Sequence, residues 1–393
     1  MKRGVESMVW NNRFFGRQLS FGLIFVLFLS LWSLRITEAY AGDVSFKTGF
    51  DYTWWESTKR EKGQQALIPL SLKGTWGNFD LKLLTGYLYC YHDIQGEESH
   101  DADDLLDTKV NLSYLREDVL NFDILFGLDF NVPTGRTNLS DEDLTLIMDP
   151  DLVPITSWGE GLNINPTVIV TRSWDKVIIG VGGGFLWRDS YDFSKDYQDY
   201  DPGDIWRATG EIRYFPNDNW MMRFFTSYTW YGEDEVDGDD FYQAGNMFEV
   251  GLGLRFDKAP WRATINFASY FRDKDELQSA TGDVTDEDHN SYGDEYVLEN
   301  VLAYRISKQH EVLGILNLLQ IEPNDYNEGD EFYRGRRQKI ETGLGWKYRF
   351  CENYSIKLLG TFFLLHDHEM PDHQDDNRTY RGVSAQVSLT THF

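Results

Sequence analysis

A period-two alternation of apolar and polar residues recurs along most of this chain and constrains its fold more than any other feature. Such alternation is typical of β-strands that turn one apolar and one polar face to different surroundings. We mark sixteen alternating segments, at about 44–56, 65–76, 79–92, 106–116, 120–132, 160–173, 176–188, 204–215, 219–231, 245–257, 260–272, 293–306, 310–321, 335–349, 353–366 and 380–393. The sequence therefore predicts an all-β chain of about sixteen antiparallel strands.

The connections between these segments alternate in length. The tight ones lie at 77–78, 117–119, 174–175, 216–218, 258–259, 307–309 and 350–352. The longer ones, mostly acidic, lie at 57–64, 93–105, 133–159, 189–203, 232–244, 273–292, 322–334 and 367–379. An even strand number with short turns at one rim and long loops at the other is typical of a transmembrane antiparallel β-barrel with periplasmic turns and extracellular loops. A soluble β-sandwich has the same alternation with its faces reversed, so the period alone does not choose.

The N-terminal segment favours the barrel. Lys2 and Arg3 precede an apolar run at 21–34, which is followed by Ala39-Tyr40-Ala41. This order predicts a secretory signal peptide over 1–41 and a mature barrel domain over 42–393, and a retained anchor helix is the alternative. Beyond residue 41 no run approaches the ~20 apolar residues that a membrane helix needs.

The last segment, Tyr380 to Phe393, places Val383, Ala385, Val387 and Leu389 on one face and small polar residues on the other. A strand of this kind that ends on an aromatic residue resembles the closing strand of bacterial outer-membrane barrels. The resemblance implies that Phe393 is part of an assembly signal read by the barrel-assembly machinery. It also implies a multi-pass location in a Gram-negative outer membrane.

The two faces of the predicted strands have different compositions. Phe122, Phe126 and Phe130 share one face, and Asp123 and Asp129 share the other. The aromatic content of 16% is concentrated near segment ends, where interfacial girdles need rings with an apolar body and a polar edge. We therefore expect the apolar faces to contact outer-membrane lipids, with lipopolysaccharide as a partner of the outer leaflet.

The longest connection, 133–159, is predicted to contain a short helix because Ser140 can cap a first turn rich in acidic residues. Leu144, Ile147 and other apolar residues of this loop need a packing surface. We predict that the loop folds into the barrel beside the inner-wall glycines and narrows the pore, and a helix resting on the outer rim is the alternative. The glycines are Gly127, Gly180, Gly182 and Gly184, and the predicted constriction residues are Asp141, Glu142, Asp143, Asp149 and Asp151.

Charge is distributed unevenly between the strands and the loops. The predicted pore-lining residues are Lys82, Lys176, Arg207, Arg213, Arg223, Glu249, Arg255, Arg262, Arg337, Lys339, Glu341 and Lys347. Bases predominate among them toward the tight-turn rim, so we expect an electropositive inner mouth with a weak preference for anions. The outer loops carry most of the net charge of −27, either as solvated surface or as carboxylates that bridge divalent cations.

Two resemblances to known families extend the prediction to function. In topology, terminal Phe393 and the position of the long loop, the chain resembles the sixteen-stranded general porins, whose third outer loop forms the constriction. The stretch Asn131-Val-Pro-Thr-Gly135 resembles the outer-membrane family named for the MetA pathway of phenol degradation, whose members are regarded as transporters. The first resemblance implies a passive pore and the second a specific channel.

The sequence thus predicts an outer-membrane porin for passive diffusion of small hydrophilic solutes. The alternatives are a substrate-specific transporter for aromatic or apolar compounds, with Trp55, Phe225, Tyr231, Tyr270 and Phe363 as a candidate track, and a barrel that sheaths a partner such as a multihaem cytochrome. We expect no enzymatic activity, no catalytic residue, no metal, no cofactor and no nucleic acid. Cys90 and Cys351 fall at opposite strand ends, too far apart to form a disulfide, and a homo-oligomer remains open.

Overall fold

The computed structural model describes residues 42–96, 98–279, 284–368 and 377–393. The predicted signal peptide, 1–41, lies outside the described residues. The chain is a closed antiparallel β-barrel of sixteen strands, in which each strand pairs with its neighbours along the chain and the last strand pairs with the first. The predicted fold class and strand number are confirmed.

The barrel strands are β1 (Asp43–Ser57), β2 (Lys62–Trp76), β3 (Phe79–Asp93), β4 (His100–Leu105) continued by β5 (Thr108–Val119), β6 (Phe122–Val132), β7 (Asn163–Trp174), β8 (Val177–Arg188), β10 (Ile205–Asn217), β11 (Trp220–Tyr231), β14 (Met247–Lys258), β15 (Trp261–Arg272), β18 (Glu295–Arg305), β19 (His310–Ile321), β20 (Arg337–Arg349), β21 (Tyr354–Asp367) and β22 (Arg378–His392). Outer loops contribute a separate five-stranded sheet of β9 (Tyr200–Asp201), β12 (Glu233–Val236), β13 (Asp239–Gln243), β16 (Glu276–Gln278) and β17 (Val284–Asp286). A short helix, α1 (Asp141–Leu144), lies in the third outer loop.

The barrel closes where β22 meets β1. The register runs from Ser45 opposite His392 to Ser57 opposite Tyr380. Beyond the strand, the Phe393 amide donates to the Val44 carbonyl at 2.8 Å. The closing strand predicted from the C-terminal alternation is confirmed, and closure leaves no unpaired edge.

The two rims differ as predicted, with local corrections. The second tight turn lies at Leu120 and Asn121, whose φ angles of 55° and 66° suit a two-residue hairpin turn. It falls after the predicted 117–119 because a bulge between Arg116 and Val119 lengthens β5. The first outer connection was predicted at 57–64 and is shorter, because β1 and β2 continue above the rim and pair as far as Glu56 and Lys62.

The outer surface of the barrel is an apolar band. Leu344 is 79% exposed, and Val181 and Leu252 are 59% and 58% exposed. Aromatic pairs flank the band, at the tight-turn side as Phe79–Tyr114, Trp220–Phe256 and Trp261–Tyr304, and at the loop side as Phe185–Trp206, Tyr228–Trp230 and Phe248–Phe271. Exposed side chains of this kind in two girdles are typical of a barrel that spans a membrane.

In the described ranges, no helix combines the length and the apolar character needed to cross a membrane.

Candidate functional site

The third outer loop, residues 133–162, contains the predicted capped helix. The Ser140 hydroxyl accepts a hydrogen bond from the Asp143 amide at 3.2 Å, and the Asp143 carboxylate accepts one from the Ser140 amide at 3.1 Å. This reciprocal pair is a capping box, which satisfies two backbone donors that the helix leaves unpaired. The helix is only one turn long, so the loop depends on other contacts for its position.

The loop folds into the barrel, as predicted. Its apolar side chains Leu146, Met148 and Trp158 are buried against the inward side chains Trp55 and Phe363 of the barrel wall. Trp55 itself is 1% exposed. The hydrophobic core of this protein is therefore the contact between the loop and the wall, not the centre of an ordinary globular domain.

The wall that receives the loop is not the glycine wall that the sequence suggested, and that prediction was wrong. A Cβ added to Gly127 or Gly180 would meet the side chains of Thr167 and Thr171, not the loop. The receiving wall consists of β1 to β3, β21 and β22, which carry apolar residues at inward positions: Trp55, Leu67, Leu88, Phe363, Leu365 and Tyr380. The sequence contains a signal for this receiving wall, because these strands carry apolar residues on the face that is otherwise polar. An apolar loop needs such an apolar surface to pack against.

Arg337 of β20 binds the middle of the third loop and holds it against the barrel wall. Its guanidinium donates to Asp149 at 2.7 Å and to Asp151 at 2.8 Å, and it also donates twice to Asp367 of β21, at 2.7 and 3.0 Å. Five donors in a rigid fork allow arginine to serve three carboxylates at once. Arg337, predicted to line the pore, is thus a loop anchor.

Two further wall residues bind the loop backbone. The Gln65 amide donates to the Ile155 carbonyl at 2.8 Å and accepts from the Ile155 amide at 3.2 Å. The Lys339 ammonium donates to the Asp151 carbonyl at 2.6 Å and lies 4.8 Å from the centre of the Phe363 ring. Lys339 was also predicted to line the pore, and Gln65 was missed because a single inward glutamine looks ordinary on a polar face.

The acidic residues of the loop have separate positions. Asp141 and Glu142 are exposed, whereas Asp143 is buried and bonded to His100 at 3.2 Å and to Arg136. Burial acts to raise the pKa of Asp143, but hydrogen bonds from Ser140 and His100 and the charge of Arg136 outweigh it and lower that pKa. For Asp151 burial dominates over Arg337, and the pKa is raised. Of the five predicted constriction residues, three thus hold the loop in place.

The lowered pKa of Asp143 predicts that acid weakens the attachment of the loop at this residue, whereas the raised pKa of Asp151 acts in the opposite direction. The pKa of Asp143 is lower with the loop in place than in a released loop, so its ionised form stabilises the folded loop. That stabilisation is complete above the ordinary carboxyl range near pH ~4 and is lost as pH falls through the lowered value. We expect a larger single-channel conductance at pH 3 than at pH 7, and D143N should show part of that increase already at pH 7. An identical conductance at both pH values would contradict the assignment.

The rest of the lumen lies beside the opposite wall. A cavity of about 570 Å³ is lined by residues of β7 to β18, and a second of about 650 Å³ adjoins it toward the tight-turn rim. The two share Arg213, Arg223 and Asn266. These cavities follow one wall from the middle of the barrel toward the tight-turn rim, so they form a continuous polar space beside the loop.

Several predicted pore-lining arginines on this wall are paired with inward glutamates. Arg207 donates to Glu249 at 2.7 Å, Arg223 donates to Glu211 at 2.6 Å, and Arg262 donates to Glu311 at 2.8 Å. Arg213 also contacts Glu211. This wall is therefore a network of paired charges, and its arginines contribute less to an anion-attracting field than isolated bases.

The remaining predicted pore residues have other partners. Arg255 pairs with Asp257 at 3.1 Å, Glu341 accepts from the Asn317 amide at 2.9 Å, and Lys176 lies 3.5 Å from the Pro216 carbonyl. The lysines differ, because Lys347 lies directly opposite Lys357, and Lys73 directly opposite Lys82. Within the described ranges, none of these four lysines has a carboxylate within 4.0 Å.

No group of three or more histidine, cysteine, aspartate or glutamate side chains among the described residues is arranged to hold a metal ion. Both cysteines are free, with Cys90 buried in the wall beneath the third loop and Cys351 exposed in a tight turn. His373 of the last outer loop lies outside the described residues.

No family model matches this sequence, and no curated protein matches it. Solved structures with a similar chain path include a TodX deltaS2S3 mutant described as a monoaromatic hydrocarbon channel, with 12% identity over 91% of this chain and 92% of that chain and a TM-score of 0.45. An anion-selective porin from Comamonas acidovorans has 12% identity over 90% and 100% and a TM-score of 0.40. OccAB1 of Acinetobacter baumannii has 9% identity over 90% and 96% and a TM-score of 0.44. At such low identity, the function of this chain has to be argued from its own residues.

Proposed function

We propose that this chain is an outer-membrane channel through which small hydrophilic solutes diffuse passively. The observation that carries the proposal is the polar space beside the third loop, along the wall of β7 to β18. The loop covers one wall only, so the lumen is narrowed and not filled. Sixteen strands enclose more space than wall side chains can occupy, which agrees with a water-filled passage.

The membrane location is supported by the apolar band, its two girdles and the closing strand that ends at Phe393. We propose that the apolar band contacts outer-membrane lipid, that the acidic outer loops face lipopolysaccharide, and that the assembly machinery reads the terminal strand. These assignments, with removal of 1–41 as a signal peptide, form one proposal, because each needs the chain to be exported.

Replacement of an apolar residue on the outer face tests the location. Leu344→Arg lies midway along β20 and should destabilise the folded barrel by about 2–4 kcal/mol in lipid, the cost of arginine near the bilayer midplane. Urea unfolding in vesicles, followed by heat-dependent gel mobility, measures the change. Leu277→Arg is the matched control, because Leu277 is exposed in the outer-loop sheet and should tolerate the charge. Equal effects of the two substitutions would place Leu344 outside the membrane.

Conductance of the refolded mature chain in a planar bilayer tests the channel itself. We expect a steady open current in potassium chloride, with a reversal potential in a salt gradient that favours anions slightly. The lean toward anions rests on the unpaired lysines of β2, β3, β20 and β21, since the arginines of the opposite wall are paired. A permanently silent barrel contradicts the proposal.

A channel for aromatic compounds is less well supported. Of the candidate aromatic track, Trp55 and Phe363 are buried beneath the third loop, and only Phe225 and Tyr270 line the lumen cavity. The Arg223 guanidinium lies 4.3 Å from the centre of the Phe225 ring, so even this ring has a charged neighbour. A sheath for a partner chain is less well supported too, because the third loop occupies part of the lumen.

A further inference from the structure

A cleft lies between the last part of the third loop and the inner face of β3 to β8. It consists of two cavities of about 320 and 290 Å³ that share Leu84, Lys109, Asn131 and Glu160. Because of these shared residues we treat them as one site, the polar cleft. Its other polar side chains include Lys82, Asn111, Asp129, Asn163 and Asn165.

The polar side chains of the cleft form two rows across neighbouring strands. In the first, Lys82 lies opposite Asn111, Asn111 opposite Asp129, and Asp129 opposite Asn165. In the second, one step nearer the outer rim, Lys109 lies opposite Asn131, which lies opposite Asn163. Adjacent strands are about 4.8 Å apart, so each row spans one small molecule.

The charges of the cleft do not neutralise one another. Asp129 accepts hydrogen bonds from the amides of Asn111 and Asn165, and Glu160 accepts one from the Ser157 hydroxyl at 3.2 Å. Among the described residues, neither Lys82 nor Lys109 has a carboxylate within 4.0 Å. Lys82, Lys109, Asp129 and Glu160 thus face one space without an ion pair among the described residues, in contrast to the paired wall across the lumen. A third carboxylate of the cleft, Asp107, accepts hydrogen bonds from the Asn131 side chain and from the Gly135 and Glu160 amides.

Two buried amide oxygens add hydrogen-bond acceptors. Asn131 and Asn163 are each 7% exposed, and their Oδ1 atoms have no hydrogen-bond partner in the part of the chain that the structure describes. The orientation of Asn131 is fixed, because its amide nitrogen donates to Asp107 at 2.6 Å and to the Gly161 carbonyl at 2.7 Å. A buried acceptor without a donor is costly, so a ligand that brings N–H groups is favoured here.

We propose that the polar cleft binds zwitterionic solutes of amino-acid size. The carboxylate contacts the ammonium groups of Lys82 and Lys109, while the ammonium group contacts Asp129, Glu160 and the free asparagine oxygens. A simple anion is repelled by two carboxylates in this space, and a simple cation is repelled by two lysines. Only a solute that carries both charges has an opposite charge beside each of its own. This inference rests on the proposed channel, because the cleft adjoins its lumen.

Current block in planar bilayers tests the inference with three probes of similar size. Alanine, propionate and propylammonium are added in turn to the open channel in potassium chloride. We expect saturable block by alanine and none of comparable affinity by the other two. Lys109→Gln and Asp129→Asn should each weaken the alanine block by about tenfold or more, the value of one charge-assisted hydrogen bond.

Lys195→Gln and Asp196→Asn are the matched controls, since they remove one exposed charge of each sign from the outer loop at 189–203, outside both cavities of the cleft, and should leave the alanine block unchanged. Block by propionate equal to that by alanine would overturn the zwitterion assignment in favour of a plain anion site. Calorimetric titration of the detergent-solubilised chain with alanine separates this inference from the proposed function. Binding that D129N weakens, in a barrel that conducts no current, would support the cleft and overturn the channel, whereas absence of binding in a conducting barrel would overturn the cleft alone.

Discussion

Arg337→Gln is expected to loosen the third loop and to produce a second, larger conductance level. The side chain is 19% exposed and bonds three carboxylates, so its loss leaves Asp149, Asp151 and Asp367 close together without the guanidinium that they share. Removal of one partner from a buried ion pair typically costs about 3–5 kcal/mol. Such a change raises the population of the released loop by a factor of about 10²–10³.

The apolar contacts between the third loop and the barrel wall limit the effect of Arg337→Gln. Each buried side chain of the size of Leu146 or Met148 stabilises the loop by about 1.5–3 kcal/mol, so the loop keeps most of its adhesion when Arg337 is lost. We therefore expect transitions between two conductance levels in single-channel records, not permanent opening. Arg336→Gln is the control, because Glu322 is the one carboxylate that Arg336 pairs with among the described residues, and Arg336 is half exposed.

A charge-neutral variant separates repulsion from lost hydrogen bonds. Addition of Asp149→Asn and Asp151→Asn to R337Q neutralises the two carboxylates of the loop, so that Asp367 no longer faces like charges there, and should return the channel partly to its smaller conductance level. Records of R337Q that match the native channel at every voltage would show that the loop does not depend on this cluster.

The barrel was predictable from sequence because each of its determinants is local. Alternation with period two, the turn at 77–78, and the apolar face of the closing strand depend on residues close in the chain. The capped helix at Ser140 was predictable for the same reason. Boundaries failed where a bulge, such as that between Arg116 and Val119, changed the strand length without changing its composition, and where β1 and β2 continue above the rim.

The site was less predictable because its contacts are between distant parts of the chain. Asp149 and Arg337 are 188 residues apart, and no local pattern shows that they meet. Likewise the pairing of Arg262 with Glu311 depends on which strands are neighbours in the closed barrel. The alternation showed which charged side chains point into the barrel. It did not show which of them form ion pairs, because that depends on the three-dimensional register of the strands. The pairing decides whether a charge acts on a passing ion.

The distinction between paired and unpaired inward charges predicts which residues set ion selectivity. Lys347 and Lys357 lie directly opposite each other with no carboxylate within 4.0 Å in the described part of the chain, an arrangement that costs stability and leaves both charges facing the lumen. At a distance of about 7 Å in water, one unit charge changes the energy of a passing ion by about 0.6 kcal/mol, close to the thermal energy. The double substitution Lys347→Gln with Lys357→Gln should therefore lower the ratio of anion to cation permeability severalfold in dilute salt.

Reversal potentials in a potassium chloride gradient measure this ratio, and the difference should fade near 1 M salt, where the Debye length is only about 3 Å. Arg262→Gln with Glu311→Gln is the control, because it removes a bonded pair at 2.8 Å and leaves the net charge of the lumen unchanged. We expect no shift from that pair. Suppose that the Arg262→Gln and Glu311→Gln substitutions shift the reversal potential and the two lysine substitutions do not. Selectivity is then set by the paired arginines and glutamates of β10 to β18, and the anion preference has to be assigned to that network.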